Sequence, residues 1–272
     1  MASIWPGARR PCGLIIRLAR EMGIPLDYLE TNASWCSDPD RSREKFRQLR
    51  EAGLPAVLIS CSLFHAECIP YERTRIGIEA AQDVFGPGGV LVWQPWVMDI
   101  LERLPNPQTT ATWEEICAAA GWTTDAPQIP QSYGITPGGR APQALRACYP
   151  LEPPEAFRHQ ICRRILESTA HFHIDPFGNL FTGLCPGIAP GQVDNLHPRI
   201  TPEAFPAYWS LAEAGPYGLM QYARDAYGFE PDAAGYAGPC DLCQQVRGHL
   251  LRSAPEAHPE LRPAEFYAEA DA

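Results

Sequence analysis

Three short apolar runs recur at an interval of about thirty residues, each preceded by a helix-forming stretch, and no other feature restricts the fold as much. The runs are Leu26–Asn32, Ala56–Ser62 and Gly89–Trp96. The middle one, AVLISCS, has the unbroken apolar character of a strand covered on both faces. Before the first run, Ile15, Leu18, Ala19 and Met22 repeat with helical spacing over Pro11–Met22, and Gly23 ends the pattern. Asp38 then caps a helix with Pro39 in its first turn, running to Ala52 and stopped by Gly53. A third helix spans Glu72–Phe85, with Ile76, Ala80 and Val84 on one side and Gly86-Pro87 as terminator. Strands separated by single helices need crossover connections, so the first part of the chain reads as α/β with a parallel sheet.

At 272 residues the chain is long enough for one large domain or two modest ones. The formal net charge of −10 argues against a nucleic-acid partner, which requires a basic face. No apolar run approaches the ~20 residues of a membrane span, and no leader pattern opens the sequence. Ten cysteines without a leader place the chain in a reducing compartment, the cytoplasm, where clustered thiols bind metal more often than they form disulfides.

Beyond Trp96 the periodicity loosens. Thr112 and Glu115 form a capping box for a short helix to Ala120, stopped by Gly121. Residues 123–139 are rich in Pro, Gly and Thr, and Gly138-Gly139-Arg140 could present amides and a guanidinium to an anion. A helix is expected near 155–168, then a hairpin in HFHIDPFGNLFTGLCPGIAPG, with His171 and His173 on one side and Phe172 and Ile174 on the other. Helices near 202–214 and 217–227 follow, then a CxxC at the start of a helix running from Cys243 to Arg252. A soft boundary near 145–155 gives units 1–150 and 151–252, and the acidic stretch 253–272 reads as a peripheral tail. Cys162, Cys185, Cys240 and Cys243 come from three segments with 22 and 54 intervening residues plus the CxxC, a pattern for a metal or cluster cage. Arg247 lies one turn past Cys243 on the same helix face. Cys12, Cys36, Cys61, Cys68, Cys117 and Cys148 read as core residues, Trp93 and Trp96 as core first and substrate-pocket wall second, and His171 and His173 as packing or hydrogen-bonding residues with metal binding as the alternative. The strand ends are polar, with Glu30-Thr31-Asn32 after one and Ser60 to Glu67 after the next. His65 and Glu67 have no serine or cysteine arranged around them as a triad in the sequence.

Taken in order, LETNASW, ISCSLFHAECIPYER, ITPGGRA, HFHIDPFGNLFTGLCPGIAPG and GPCDLC with a following VR resemble a radical SAM protein carrying a C-terminal auxiliary-cluster domain of the SPASM/Twitch kind. The resemblance spans roughly residues 14 to 252. It implies a partial (β/α) barrel joined to a small cysteine-rich α+β cluster domain. It implies that Asn32, Ser60 and Arg140 lie near a SAM pocket and His65 on its substrate side. Four thiolates suit zinc or a 4Fe–4S cluster equally, and the resemblance implies the cluster at Cys162, Cys185, Cys240 and Cys243. The sequence departs from the family in lacking CxxxCxxC and the Gly-Gly-Glu segment that follow its first two strands. Cys61 and Cys68 are six residues apart by intervening count, and Cys12 and Cys36 stand alone. S-adenosylmethionine is therefore expected only where the missing N-terminal segment is supplied. The implied activity is radical-based modification of an unidentified substrate, peptides included, with this chain inactive by itself. A non-catalytic zinc- or iron–sulfur-binding module and a gene fragment are the alternatives. Neither a nucleic acid nor a membrane is expected as partner. The unpaired edge of Leu26–Asn32 predicts an oligomeric or poorly soluble chain.

Overall fold

The computed structural model describes residues 11–268. The chain divides into two compact units between Thr124 and Asp125.

In the first unit, helix α1 (Pro11–Glu21) leads into β1 (Leu29–Thr31), α2 (Pro39–Ala52), β2 (Val57–Ser60), the single turn α3 (Leu63–Ala66), α4 (Tyr71–Phe85) and β3 (Val90–Trp93). Two shorter helices, α5 (Met98–Leu101) and α6 (Trp113–Ala120), complete it. The strands form a parallel sheet in the order β1-β2-β3, with Glu30 opposite Leu58 and Leu58 opposite Leu91. Local chemistry places the helix ends. Asp38 accepts from Arg41 N at 2.8 Å and Gly53 closes α2 in the left-handed region. Thr112 and Glu115 make the reciprocal capping box of α6. One sheet face, with Val57, Ile59, Val90 and Val92, packs on Phe46 of α2 and on Ile76, Ala80 and Val84 of α4. Sequential strand order with helices on one face is the winding of an open (β/α) layer.

The other face carries Glu30, Leu58, Ser60, Leu91 and Trp93. Trp93 and Trp96 are 59% and 56% exposed, not core residues, although Leu58 and Ser60 on the same face are buried. The strand expected over Leu26–Asn32 shortens to β1. In α1 the buried residues are Ile16 and Ala19, while Ile15, Leu18 and Met22 face outward. The run Leu14-Ile15-Ile16 puts apolar groups on adjacent sides of the helix, so spacing alone could not choose between them.

The second unit contains α7 (Gln128–Tyr133), α8 (Ala141–Ala144), α9 (Arg163–Leu166), a sheet of β4 (Phe172–Ile174), β5 (Asn179–Thr182) and β6 (Gly191–Gln192), then α10 (Pro206–Tyr227), α11 (Pro239–Ser253) and α12 (Glu265–Ala268). Its core joins Leu211, Leu219 and Met220 of α10 to Leu242, Val246 and Leu250 of α11, with Phe157, Leu166 and Ile188. The division falls earlier than the expected 145–155 because residues 125–150 bond within this unit. Arg146 donates to Asp232 and to the Gly235 carbonyl, both at 3.1 Å, and a Cβ on Gly238 would meet Pro137 at 2.5 Å.

Two further expectations are corrected. The helix near 155–168 is a 3₁₀ turn (Pro154–Phe157) and then α9, because the backbone at Gln160–Ile161 lies against Gly215, where α10 breaks. The stretch from Ser253 is not peripheral, since His258, Glu260, Leu261 and Tyr267 are all buried. The hairpin forms with Phe172 opposite Thr182 and the two faces expected from the alternation. Phe172 and Ile174 are exposed, while His173 stacks on Phe181 at 5.0 Å with a buried, unpaired Nε2.

Candidate cluster site

The four cysteines reach one region of the second unit from three directions. Cys162 is the residue before α9, and its carbonyl accepts from Ile165 N and Leu166 N. Cys185 sits on the loop leaving β5, where Gly187 takes φ +82° and lets the Phe266 ring close onto the backbone. Cys240 and Cys243 occupy the first turn of α11, behind Pro239, one reaching the surface and the other buried. That turn directs its amide dipoles toward the sulfurs.

The thiols lie in one another's fields. Burial pushes Cys162 up to about 12, and Cys243, Cys185 and Cys240 add to the shift. Burial likewise pushes Cys185 up to about 11, with Cys243 and Cys240 contributing. Cys240 is raised by burial and by Cys243. Each thiol thus makes it harder for the next to ionise, a situation that a bound cation inverts by deprotonating its ligands outright. Among the described residues no three His, Cys, Asp or Glu donors converge tightly enough to hold a single metal ion. Zn–S bonds of about 2.3 Å would bring the sulfurs to within about 4 Å of each other.

A buried cation stands beside the four thiols. Arg247 is 6% exposed; its Nη1 donates to the Pro186 carbonyl at 2.9 Å and to the Tyr267 hydroxyl at 3.1 Å. Tyr267 in turn donates to the Gly187 carbonyl. Burial opposes the charge on Arg247, but Tyr267, Cys243 and Cys185 outweigh it and hold the guanidinium more firmly protonated than usual. Its Nε is buried without a hydrogen-bond partner, as is Oε1 of the neighbouring Gln244. A buried guanidinium with one unpaired donor, in the field of Cys243 and Cys185, fits an anionic centre there. Tyr267 was missed from the sequence because it lies in a stretch rich in Glu, Pro and Ala. The aromatic pair Phe266-Tyr267 within that polar stretch was the available signal.

The other sequence-derived residues are placed as follows. Asn32 and Ser60 belong to the first unit and Arg140 to the second. Asn32 Oδ1 accepts from Ser34 N at 3.2 Å, a local turn at the surface. Ser60 is buried and donates to Glu30 at 2.9 Å. His65 Nδ1 lies 3.0 Å from the Ser62 hydroxyl, which also caps α3. Burial lowers the His65 pKa, partly offset by Glu30. Glu30, Ser60, Ser62 and His65 therefore form one polar group at the carboxyl ends of β1 and β2. Arg140 is an exposed residue preceding α8. Of the remaining cysteines, Cys36, Cys61, Cys117 and Cys148 are buried as expected, whereas Cys12 and Cys68 are exposed because they lie on the outer side of α1 and at the end of the α3 turn.

No helix among the described residues is long and apolar enough to cross a membrane. Comparison of the chain with protein-family models, curated proteins and solved structures returns no match.

Proposed function

We propose that the second unit is an iron–sulfur-cluster-binding module of the radical SAM auxiliary type, with Cys162, Cys185, Cys240 and Cys243 as its four thiolate ligands. The observation that carries this reading is the convergence of four thiols from three separate segments beside the buried, incompletely paired Arg247. Four thiolates suit a cubane or a zinc ion, the resemblance favours the cubane, and a bound 4Fe–4S centre would supply electron transfer. The chain's own part is to hold four ligands on a rigid frame and to provide a fixed positive charge against a centre of net negative charge. The first unit is then the partial barrel on the S-adenosylmethionine side, with Asn32, Ser60 and His65 at its strand ends. The absence of CxxxCxxC from the sequence favours a second reading, a cluster- or zinc-holding module without its own chemistry. In either reading the protein works in a reducing, cytoplasmic setting with neither nucleic acid nor membrane as partner.

Anaerobic purification followed by iron, sulfide and zinc assays tests the assignment. About four iron and four sulfide per chain are expected, with most of both lost in Cys185→Ala and in Cys240→Ala. Incubation of the same protein with S-adenosylmethionine and dithionite should give no deoxyadenosine above a blank. One zinc without sulfide would replace the cluster by zinc; full metal retention in both variants would remove the cage.

A further inference from the structure

His171 and His173 come together on the β4–β5 hairpin, away from any role given to the four thiols. Alternation along the strand puts both side chains on one face, and the backbone of each is tied to β5. The His171 carbonyl accepts from Gly183 N at 3.3 Å, and His173 stands in register with Phe181. The sheet therefore sets both positions. His173 stacks on Phe181 at 5.0 Å with an interplanar angle of 18°, which holds its ring. His171 is exposed and can turn about its own side-chain bonds. The two imidazole centres are 4.6 Å apart, tilted by 37°.

Nε2 of His173 is buried and has no hydrogen-bond partner. An unpaired buried nitrogen costs free energy and calls for a ligand of its own. The nearest acid along the strand does not provide one. Asp175 is engaged in its own turn, accepting from Phe177 N, Asn179 N and Asn179 Nδ2, each at 2.9 Å. Distance then favours an ion between the rings. A divalent first-row metal holds imidazole nitrogen at about 2.0–2.1 Å, which puts each ring centre about 3 Å from the metal. Two rings in adjacent coordination positions have centres about 4.5–5 Å apart. The observed 4.6 Å lies in that range, so a turn of the His171 side chain completes a chelate without moving the backbone.

We propose that His171 and His173 form a two-histidine site for an exchangeable divalent transition-metal ion of the nickel or zinc kind, separate from the four thiols. Imidazole suits these ions, whereas magnesium and calcium select oxygen ligands. Among the described residues no third His, Cys, Asp or Glu joins the pair, so water takes the remaining positions. An ion held by two protein nitrogens and water exchanges readily and keeps places open for a donor from outside. The site does not rest on the cluster reading, because neither of its ligands is a cysteine.

The test uses the untagged full chain, purified anaerobically and passed over a chelating resin. Calorimetry should show one Ni(II) bound outside the thiols with a Kd of about 100 µM or tighter, weaker binding of Co(II) and then Mn(II), and none of Mg(II). The Co(II) spectrum separates the two kinds of ligand, since imidazole gives weak visible bands and thiolate adds intense sulfur-to-cobalt charge transfer. His173→Phe keeps a ring on Phe181 and removes the nitrogens, while His171→Ala changes an exposed residue. Each should weaken Ni(II) binding by at least about tenfold with an unchanged melt, and His171→Ala carries the test if His173→Phe does not fold. Binding that is entirely thiolate by the cobalt signature, no binding at all, or undiminished binding in either folded variant overturns the proposal. Iron, sulfide and zinc measured on the same samples before titration separate these outcomes from failure of the cluster assignment.

Discussion

Glu260 takes over a task that local sequence leaves undone. Helix α10 begins at Pro206 behind Phe205, and no neighbouring side chain caps it. Glu260, fully buried and more than fifty residues away in sequence, accepts from Ala207 N at 2.7 Å and Tyr208 N at 3.1 Å. A carboxylate at a helix start satisfies orphan amides and meets the positive end of the dipole. Burial nevertheless raises its pKa, against the lowering effect of its own backbone, Tyr208, Ala207 and Arg262, and its Oε2 has no partner. Glu260→Ala should cost about 1–3 kcal/mol, because two buried N–H groups lose their acceptor, and Glu260→Gln should cost less. The pH dependence has a definite sign. The folded pKa lies above the unfolded one, so the native state binds the proton more readily. This group's contribution is full below the unfolded pKa and is lost as pH rises through the folded value. Melts of the native protein and of Glu260→Gln should therefore differ in slope, with the variant losing less stability as pH rises from the unfolded carboxyl value through the raised folded one. Parallel slopes would show that Glu260 is not the group responsible.

The break in α10 shows how one backbone position organises an element and the site beside it. Gly215 has φ 66° and ψ −166°, and Pro216 restarts the helix behind it. A Cβ at Gly215 would overlap the Gln160 carbonyl oxygen and lie 2.8 Å from its carbon, so the segment leading to Cys162 rests directly on this glycine. Gly215→Ala should destabilise by more than about 3 kcal/mol and lower metal retention, since both strain and overlap oppose it. Gly228→Ala is the control. It also has positive φ, 68°, but nothing lies within 4 Å, so only about 1 kcal/mol should be lost. Equal melting points for the two variants would contradict this account. The contrast also explains which elements the sequence reveals. Asp38 before α2, the Thr112–Glu115 box of α6 and the CxxC start of α11 are read correctly because their causes lie within a few residues. The helix expected at 155–168 is not, because its interruption is set by Gly215, far along the chain. For the hairpin, period two defines the two faces without saying which one is covered.

At the scale of the whole molecule, Cys162, Cys185, Cys240 and Cys243 are singled out in the sequence by residue type and spacing, while Arg247 is foreseen only by helical register and Tyr267 not at all. Burial of 258–267 depends on packing against α10 and α11, which a Glu-, Pro- and Ala-rich composition conceals. The first unit presents the remaining consequence. On α1 and the turn that ends it, Leu14, Ile15, Leu18 and Met22 are 50%, 61%, 44% and 73% exposed, and the connection to β1 adds Ile24 and Tyr28 at 50% and 48%. Among the described residues β1 pairs only with β2, so its outer edge has free backbone groups close in sequence to this apolar surface. Single exposed apolar residues are ordinary, but a helix face with four of them beside an unpaired strand edge favours association. The protein should therefore self-associate, its apparent mass in light scattering rising with concentration. Placing charge on the face by Leu18→Glu together with Met22→Lys should shift it toward the monomer without lowering the melting point, because both side chains already face outward. Insensitivity of the association to these two changes would locate the contact elsewhere, and a native protein that stays monomeric at high concentration would show that the exposed face does not drive assembly.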